Sequence, residues 1–252
     1  MKLVVDVGNT HTVLGLIQDN ELVKRRRVET RTGATADELW HFWKMVIDEP
    51  LSSGIELLTA SVVPDLTTEI ERLGDRYLSG TPWILQPPWD ETDISVETEN
   101  PHSVGSDRIA GAAQLFAEFG GGFILDFGTA TTIDVVSDSG TYEGGVIYPG
   151  IEASSIGLST EAAKLPRISP EEPEAFTYSS TRSGLKSGLF YGTAGAVERL
   201  LEELQQTVDF NGDPAVVATG GGAQSFTQFT DVITHVRPNL VLNGLLRCYP
   251  SR

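Results

Sequence analysis

The feature that most constrains the fold is a segment that occurs twice in the chain, 120 residues apart. Residues 4–13 read Val-Val-Asp-Val-Gly-Asn-Thr-His-Thr-Val, and residues 124–133 read Ile-Leu-Asp-Phe-Gly-Thr-Ala-Thr-Thr-Ile. In each copy an apolar stretch ends at an acid, passes a glycine and continues as a second apolar stretch. This pattern predicts two strands joined by a tight turn. An offset of about half the 252-residue chain indicates two related domains, because solenoid repeats have shorter periods.

Similar elements are predicted after each copy from the spacing of apolar residues. In the first half these are strands at 21–29, 55–62 and 82–85 and helices at 35–47, 65–77 and 106–119. In the second half they are strands at 123–127, 131–137, 141–148 and 216–219 and helices at 151–163, 184–208 and 239–249. We therefore expect an α/β fold of two similar domains, residues 1–119 and 120–252, each a mixed sheet flanked by helices and facing a common cleft.

Charge and cysteine content exclude several classes of partner. The chain has 18 Lys and Arg against 35 Asp and Glu, a net charge of -17, which repels nucleic-acid phosphates and anionic membranes. Asp6 interrupts the apolar N-terminal run that a signal peptide would need, and no later stretch is long enough to cross a membrane. The single Cys248 cannot form an intrachain disulfide. We expect a cytoplasmic protein with no nucleic-acid or membrane partner.

The repeated turn has the chemistry of a phosphate site. Backbone N–H groups converge on phosphate where glycine lets the chain approach closely, and an acid at the strand end suits a cation that offsets the phosphate charge. For a single copy a plain hairpin turn is the favoured explanation, whereas two copies favour phosphate binding. His11, inside the first turn, is either a phosphate contact or a simple strand residue.

Two further segments each allow two interpretations. Residues 104–108 precede a predicted helix, so Ser106 and Asp107 are either capping residues or, for Asp107, a general base with Arg108 holding an anionic substrate. Gly220-Gly221-Gly222 after a buried strand is either a turn or bare backbone on which an adenine ring lies.

Together these segments resemble the type III pantothenate kinases, members of the acetate and sugar kinase, Hsp70 and actin superfamily. The resemblance spans the chain and is carried by Asp6-Val-Gly-Asn-Thr10, Gly105-Ser-Asp-Arg108, Asp126-Phe-Gly-Thr-Ala-Thr-Thr132, Tyr142-Glu-Gly-Gly145, Pro149-Gly150, Thr160 through Leu165-Pro166, and Thr219-Gly-Gly221. It implies two actin-like (ribonuclease H-like) domains and ATP-dependent phosphorylation of pantothenate to 4′-phosphopantothenate, the first step of coenzyme A synthesis.

The resemblance also implies roles for individual residues. The implied ATP and phosphate contacts are Asp6, Val7, Gly8, Asn9, Thr10, His11, Thr12, Val13, Thr129, Gly220 and Gly221. Asp107 matches the catalytic base, and Gly105, Ser106, Asp107 and Arg108 match the pantothenate-binding segment. Asp126 matches the ligand of a monovalent cation, K⁺ or NH₄⁺, and Asp6 is a candidate to hold Mg²⁺ through water.

The family resemblance further implies a homodimer with shared sites. Thr181 matches a substrate threonine that reaches the neighbouring subunit's site. Two positions depart from the family pattern: Thr98 stands where some members have an aromatic residue in the substrate pocket, and Ser106 stands where alanine is frequent.

Two other functions remain as alternatives at this point. One is a different activity in the same superfamily, such as another sugar or acid kinase or a phosphatase. The other is a non-enzymatic regulator, because some family members were first described as transcriptional accessory factors. The charge of -17 and the lack of a basic helix argue against direct DNA contact.

Overall fold

The computed structural model describes residues 1–169 and 171–250. The chain forms two compact units, one of residues 1–114 with 239–252 and one of residues 115–238. The first unit contains β1 (Lys2–Val7), β2 (His11–Gln18), β3 (Glu21–Glu29), α1 (Ala36–Ile47), β4 (Glu56–Ser61), α2 (Pro64–Tyr77), β5 (Trp83–Ile84), β6 (Ser95–Val96), a 3₁₀ turn (Pro101–Ser103) and the start of α3 (Ser106–Phe119). The division between the units falls within α3.

The first unit is built on a five-stranded mixed sheet. The strand order is β3-β2-β1-β4-β5, with β1 antiparallel to β2 and parallel to β4. One face of this sheet packs on α1 and α2 around the buried Trp43, together with Leu3 and Leu14. Burial of such large apolar side chains is the main favourable contribution to folding.

Local signals in the sequence explain where the first helices begin. Thr35 caps α1: its side chain accepts from the Glu38 N–H, and the Glu38 side chain accepts from the Thr35 N–H. Pro64 occupies the first turn of α2, where its missing N–H removes no helical hydrogen bond.

The second unit repeats this plan with a second mixed sheet. Its elements are β7 (Gly122–Phe127), β8 (Ala130–Val136), β9 (Thr141–Pro149), α4 (Ile151–Glu161), α5 (Thr181–Gln205), β10 (Ala215–Thr219), α6 (Ala223–Phe226) and β11 (His235–Val236). The strands lie in the order β11-β10-β7-β8-β9, with β7 antiparallel to β8 and parallel to β10. Its core packs α5 and α6 on one sheet face, around Phe127, Phe190 and Phe226.

The predicted α/β class and the repeated strand–turn–strand segment are confirmed. The hairpins β1–β2 and β7–β8 hold the two copies, and in each sheet the first strand also pairs in parallel with a later one. Residues 167–180, which lie between two of the predicted helices, contain no helix or strand among those that the structure describes, and Pro170 lies outside the described residues.

Among the differences from the prediction are β11, the start of α5 and the placement of the last helix. The two-residue strand β11 was not predicted, and α5 begins at Thr181 instead of residue 184 because Ser180 caps it with Ser183. The third is α7 (Leu240–Cys248), which sequence order assigned to the second domain. In the structure it packs on β1 and β4 and so belongs to the first unit.

Candidate active site

In the first unit, the turn between β1 and β2 is closed by backbone hydrogen bonding. The Gly8 N–H donates to the His11 carbonyl at 3.0 Å. A Cβ at position 8 would lie 2.9 Å from that carbonyl oxygen, so the close approach requires glycine. Asn9, at the tip of the turn, is exposed, and Asp6 lies half-buried at the end of β1. The turn therefore presents its backbone at the carboxyl end of β1.

Two of the side chains predicted to bind phosphate are buried inside the unit. Val7 is 1% exposed and packs in the core. Thr12 is 4% exposed, and its hydroxyl lies 3.0 Å from the hydroxyl of Thr30. Because both side chains are buried, only the backbone of these two residues is available to contact a ligand.

The start of α3 is held against the end of β4. The Ser106 hydroxyl accepts from the Ser61 N–H at 3.1 Å and donates to the Ser61 carbonyl at 3.3 Å. The interpretation of Ser106 as a helix cap is therefore wrong, because its hydroxyl binds the strand instead of the first helical turn. Since Ser61 ends β4, this contact fixes Asp107 and Arg108 at the carboxyl edge of the first sheet.

The Asp107 carboxylate lies over the beginning of α3. Its Oδ1 accepts from the Arg108 N–H at 2.8 Å, a favourable contact at the positive end of the helix dipole. A Cβ at Gly105 would lie 2.4 Å from the same oxygen, so a larger residue at 105 would displace the carboxylate. The glycine of the Gly-Ser-Asp-Arg motif thus makes room for the acid two positions later.

In the second unit, the turn between β7 and β8 has the same form. The Gly128 N–H donates to the Ala130 carbonyl at 3.0 Å, and Thr129 at the tip is exposed. The Gly150 N–H, just after β9, donates to the Thr129 carbonyl at 3.2 Å. The end of the third strand therefore contacts the turn directly.

The glycine turn after β10 meets the second copy of the repeat. Thr219 pairs with Asp126 across the parallel strands, and the Gly222 N–H donates to the Phe127 carbonyl at 3.1 Å. Gly220 has φ +85°, and a Cβ there would lie 2.2 Å from Asp126 Oδ1. The Asp126 carboxylate is thus packed directly against the backbone of the glycine turn, a distant segment in the sequence.

Other predicted residues lie elsewhere. Thr181 is exposed at the start of α5. Of the other histidines, His41 lies 2.7 Å from the Asp37 carbonyl within α1, and His235 packs on Phe119. Residues 1–169 and 171–250 contain no group of three or more His, Cys, Asp and Glu side chains that could hold a metal ion. No helix in that part of the chain is long and apolar enough to cross a membrane.

Two residues that contact the turns were given no role in the sequence prediction, although Gly150 belongs to the Pro149-Gly150 family marker. Thr30 follows β3 and contacts the first turn, and Gly150 follows β9 and contacts the second. These positions are also 120 residues apart, so extending the repeat to the ends of the third strands would have found both.

The whole-chain comparisons identify the family. The family described as type III pantothenate kinase matches residues 2–203. Over 257 residues the chain is 37% identical to a type III pantothenate kinase from Syntrophotalea carbinolica, covering 99% of this chain and 98% of the relative. This chain belongs to the type III pantothenate kinase family. The family inferred from the motifs is therefore confirmed.

Solved structures agree on the fold of this pantothenate kinase family member. A Campylobacter jejuni protein assigned to the Baf family of transcriptional activators superimposes with a TM-score of 0.63 at 19% identity, covering 98% of this chain and 96% of that one. A Sinorhizobium meliloti protein assigned as a 2-dehydro-3-deoxygalactonokinase superimposes with a TM-score of 0.56 at 14% identity, covering 100% and 98%. At these identities the likeness concerns the fold alone, and it agrees with the expected α/β fold of mixed sheets flanked by helices.

Proposed function

We propose that this chain transfers the γ-phosphoryl group of ATP to the primary hydroxyl of pantothenate, in the cytoplasm, as the first step of coenzyme A synthesis. Family membership over nearly the full length supports the reaction and the acceptor. The structural observation that carries the proposal is the packing of the Asp126 carboxylate against Gly220 at the ends of β7 and β10. The carboxyl ends of parallel strands are where α/β sheets bind their ligands.

ATP is assigned to the two turns and the glycine segment. In the first turn, the backbone of Asn9 and Thr10 is assigned to the phosphates, with Asp6, Gly8, His11 and Val13 beside them; Val7 and Thr12 are assigned through their backbone alone. Thr129 supplies a hydroxyl from the second turn. Gly220 and Gly221 lack side chains, so their backbone offers a flat surface to the adenosine.

Pantothenate is assigned to the start of α3. Arg108 holds the substrate carboxylate, because a guanidinium binds carboxylates through two parallel hydrogen bonds. Asp107 accepts the proton of the attacking hydroxyl as phosphoryl transfer proceeds. Gly105 and Ser106 complete the segment: the glycine leaves space for the Asp107 carboxylate, and the Ser106 contacts with Ser61 fix the helix start.

Two cations belong to this proposal. Mg²⁺ normally binds proteins through one or two carboxylates together with substrate phosphates, so a single acid at the end of β1 is a sufficient protein ligand. Asp6, half-buried at that position, fits this role through water. The bound ion would neutralise phosphate charge. Asp126 is proposed to hold the monovalent cation, K⁺ or NH₄⁺, because its carboxylate lies between the glycine segment and the second turn.

A homodimer with shared sites is also proposed, and an exposed aromatic cluster supports it. Phe176, Tyr178 and Tyr191 are 59%, 81% and 41% exposed, and Phe176 contacts both of the other rings. The cluster lies beside Thr181, the residue expected to reach the neighbouring site. Apolar patches of this kind mark interaction surfaces. Sedimentation equilibrium should give a dimer for the native chain and a monomer for Tyr178→Glu; a native monomer would refute the assignment.

The reaction is tested by pantothenate-dependent release of ADP, measured with and without K⁺. A panel of pantothenate, acetate and hexoses identifies the acceptor. We expect turnover with pantothenate only, increased by K⁺. Turnover of another acceptor without formation of phosphopantothenate would remove the assignment.

A further inference from the structure

The first phosphate turn is contacted from the side by a residue outside every motif described above. Thr30 follows the end of β3, is 8% exposed, and makes three hydrogen bonds to the turn and to the strand that leaves it. Its N–H donates to the Thr10 carbonyl at 2.8 Å, and its hydroxyl donates to the Gly8 carbonyl at 2.7 Å. The same hydroxyl lies 3.0 Å from the hydroxyl of Thr12.

The number of hydroxyl hydrogens determines which residue donates in the Thr12–Thr30 contact. A hydroxyl has one hydrogen, and the Thr30 hydrogen is used on the Gly8 carbonyl. Thr12 must therefore donate to Thr30. The three groups form a chain of hydrogen bonds that runs from Thr12 through Thr30 to the carbonyl of Gly8.

This chain sets the direction in which the turn presents its N–H groups. The Gly8 carbonyl and the Asn9 N–H belong to one planar trans peptide group, so they point in opposite directions. Because the carbonyl is held toward Thr30, the Asn9 N–H is turned away from it. Asn9 is exposed, and no hydrogen bond from its N–H is found within residues 1–169 and 171–250. This N–H is therefore available to a ligand.

In the second unit, a residue at the corresponding position also contacts the turn. Gly150, 120 residues after Thr30, donates its N–H to the Thr129 carbonyl at 3.2 Å. A Cβ at position 150 would lie 2.5 Å from the carbonyl oxygens of both Gly128 and Thr129. In one unit the third strand holds the turn through a hydroxyl, and in the other through direct backbone contact that excludes any side chain.

We propose that Thr30 is a positioning residue for ATP: its hydroxyl fixes the Gly8–Asn9 peptide so that the Asn9 N–H is oriented for a phosphate oxygen before the nucleotide arrives. The inference rests on the proposed function in that ATP is the ligand. Preorganised donors bind more tightly because no ordering has to accompany binding. In this proposal Thr30 contacts neither the transferred phosphoryl group nor the acceptor hydroxyl. Its loss should therefore weaken ATP binding more than it weakens binding of the acceptor.

The test measures ATP affinity calorimetrically in the absence of pantothenate, on the full chain. Thr30→Val keeps the shape and removes the hydroxyl, and two lost hydrogen bonds should weaken ATP binding about tenfold. Thr30→Ser restores the hydroxyl and should stay within about twofold of the native chain. Steady-state kinetics should show the KM for ATP rising while the KM for pantothenate is unchanged.

Thr59→Val is a matched control in the same sheet. Thr59 is fully buried in β4, and its hydroxyl has no hydrogen-bond partner among the described residues. The same isosteric change there should leave ATP affinity within about twofold. If Thr30→Val does not fold, Thr12→Val removes one bond of the chain and should weaken ATP binding about threefold.

The outcomes separate this inference from the proposed reaction. A Thr30→Val protein with a lowered Tm and native ATP affinity would show that Thr30 only stabilises the fold, and unchanged affinity in Thr12→Val would overturn the inference equally. If the affinity pattern holds but no phosphopantothenate forms, the acceptor is wrong and the inference stands. A native chain that binds no ATP would overturn both.

Discussion

Replacing Asp107 by Asn tests whether this residue acts as the catalytic base or only as an acid that stabilises the start of α3. The Asp107 Oδ1 accepts from the Arg108 N–H at 2.8 Å, and the amide oxygen of Asn can preserve this bond. The substitution removes the negative charge and the basic lone pair. Loss of a general base typically costs a factor of about 10²–10⁴, so we expect kcat to fall by that amount with little change in ATP affinity.

The stability cost of the same change is small. An acid in the first turn of a helix stabilises it by about 0.3–1 kcal/mol through the dipole. For a chain of this length that corresponds to a fall in Tm of about 1–4 °C. A purely structural Asp107 would therefore change Tm slightly and leave kcat close to the native value.

The matched control is Asp65→Asn. Asp65 is an exposed acid in the first turn of α2, so its loss removes a similar dipole interaction without touching α3. Both variants should show similar changes in Tm, measured by calorimetry, while only Asp107→Asn loses turnover in the ADP-release assay. A stable Asp107→Asn protein with near-native kcat would refute the assignment of the base.

Three further predictions concern the second unit and the C-terminal helix. Asp126→Asn should abolish activation by K⁺ and weaken ATP binding without unfolding the chain; full activity without K⁺ would contradict the cation assignment. Gly220→Ala should cost about 2 kcal/mol or more and weaken ATP binding, because its φ is +85° and its Cβ would lie 2.2 Å from Asp126 Oδ1. Gly33→Ala is its control, since Gly33 has φ +82° with no atom within 4 Å of the Cβ, and should cost about 1 kcal/mol with native ATP affinity. Burial, with a smaller contribution from Asp93, raises the pKa of the Cys248 thiol to about 12 from an ordinary 9.0, so the stability associated with this thiol is complete below pH 9 and is lost as the pH rises toward 12. Denaturant titrations at pH 8 and 10 should show the decrease, and Cys248→Ala should reduce the difference between the two pH values.

Local patterns in the sequence predicted most of the fold. The repeated hairpin and the apolar periodicity identified β1–β2, β7–β8 and the principal helices, because these depend on neighbouring residues. The two-residue β11 has no periodicity to detect. The start of α5 was predicted three residues late because its cap pairs Ser180 with Ser183, whereas the capping signature read from sequence has Glu or Gln at the later position.

The parts of the candidate site that sequence reasoning missed depend on contacts between distant residues. Ser106 binds Ser61, 45 residues earlier, and this pairing cannot be read from the Gly-Ser-Asp-Arg motif alone. The Thr30 hydroxyl binds the Gly8 carbonyl across 22 residues, and the contact forms because β3 lies next to β2 in the sheet. Motifs predicted the segments to which the chemistry is assigned, whereas the side chains that hold these segments in place are found only in the structure.

The phosphorylation of pantothenate with ATP by this chain can be observed directly. The most direct measurement is ³¹P NMR of the native chain with ATP, Mg²⁺, K⁺ and pantothenate, with mass spectrometry of the product. We predict one equivalent of 4′-phosphopantothenate for each ADP formed, and almost none with Asp107→Asn under the same conditions. Release of inorganic phosphate in place of phosphopantothenate would contradict it.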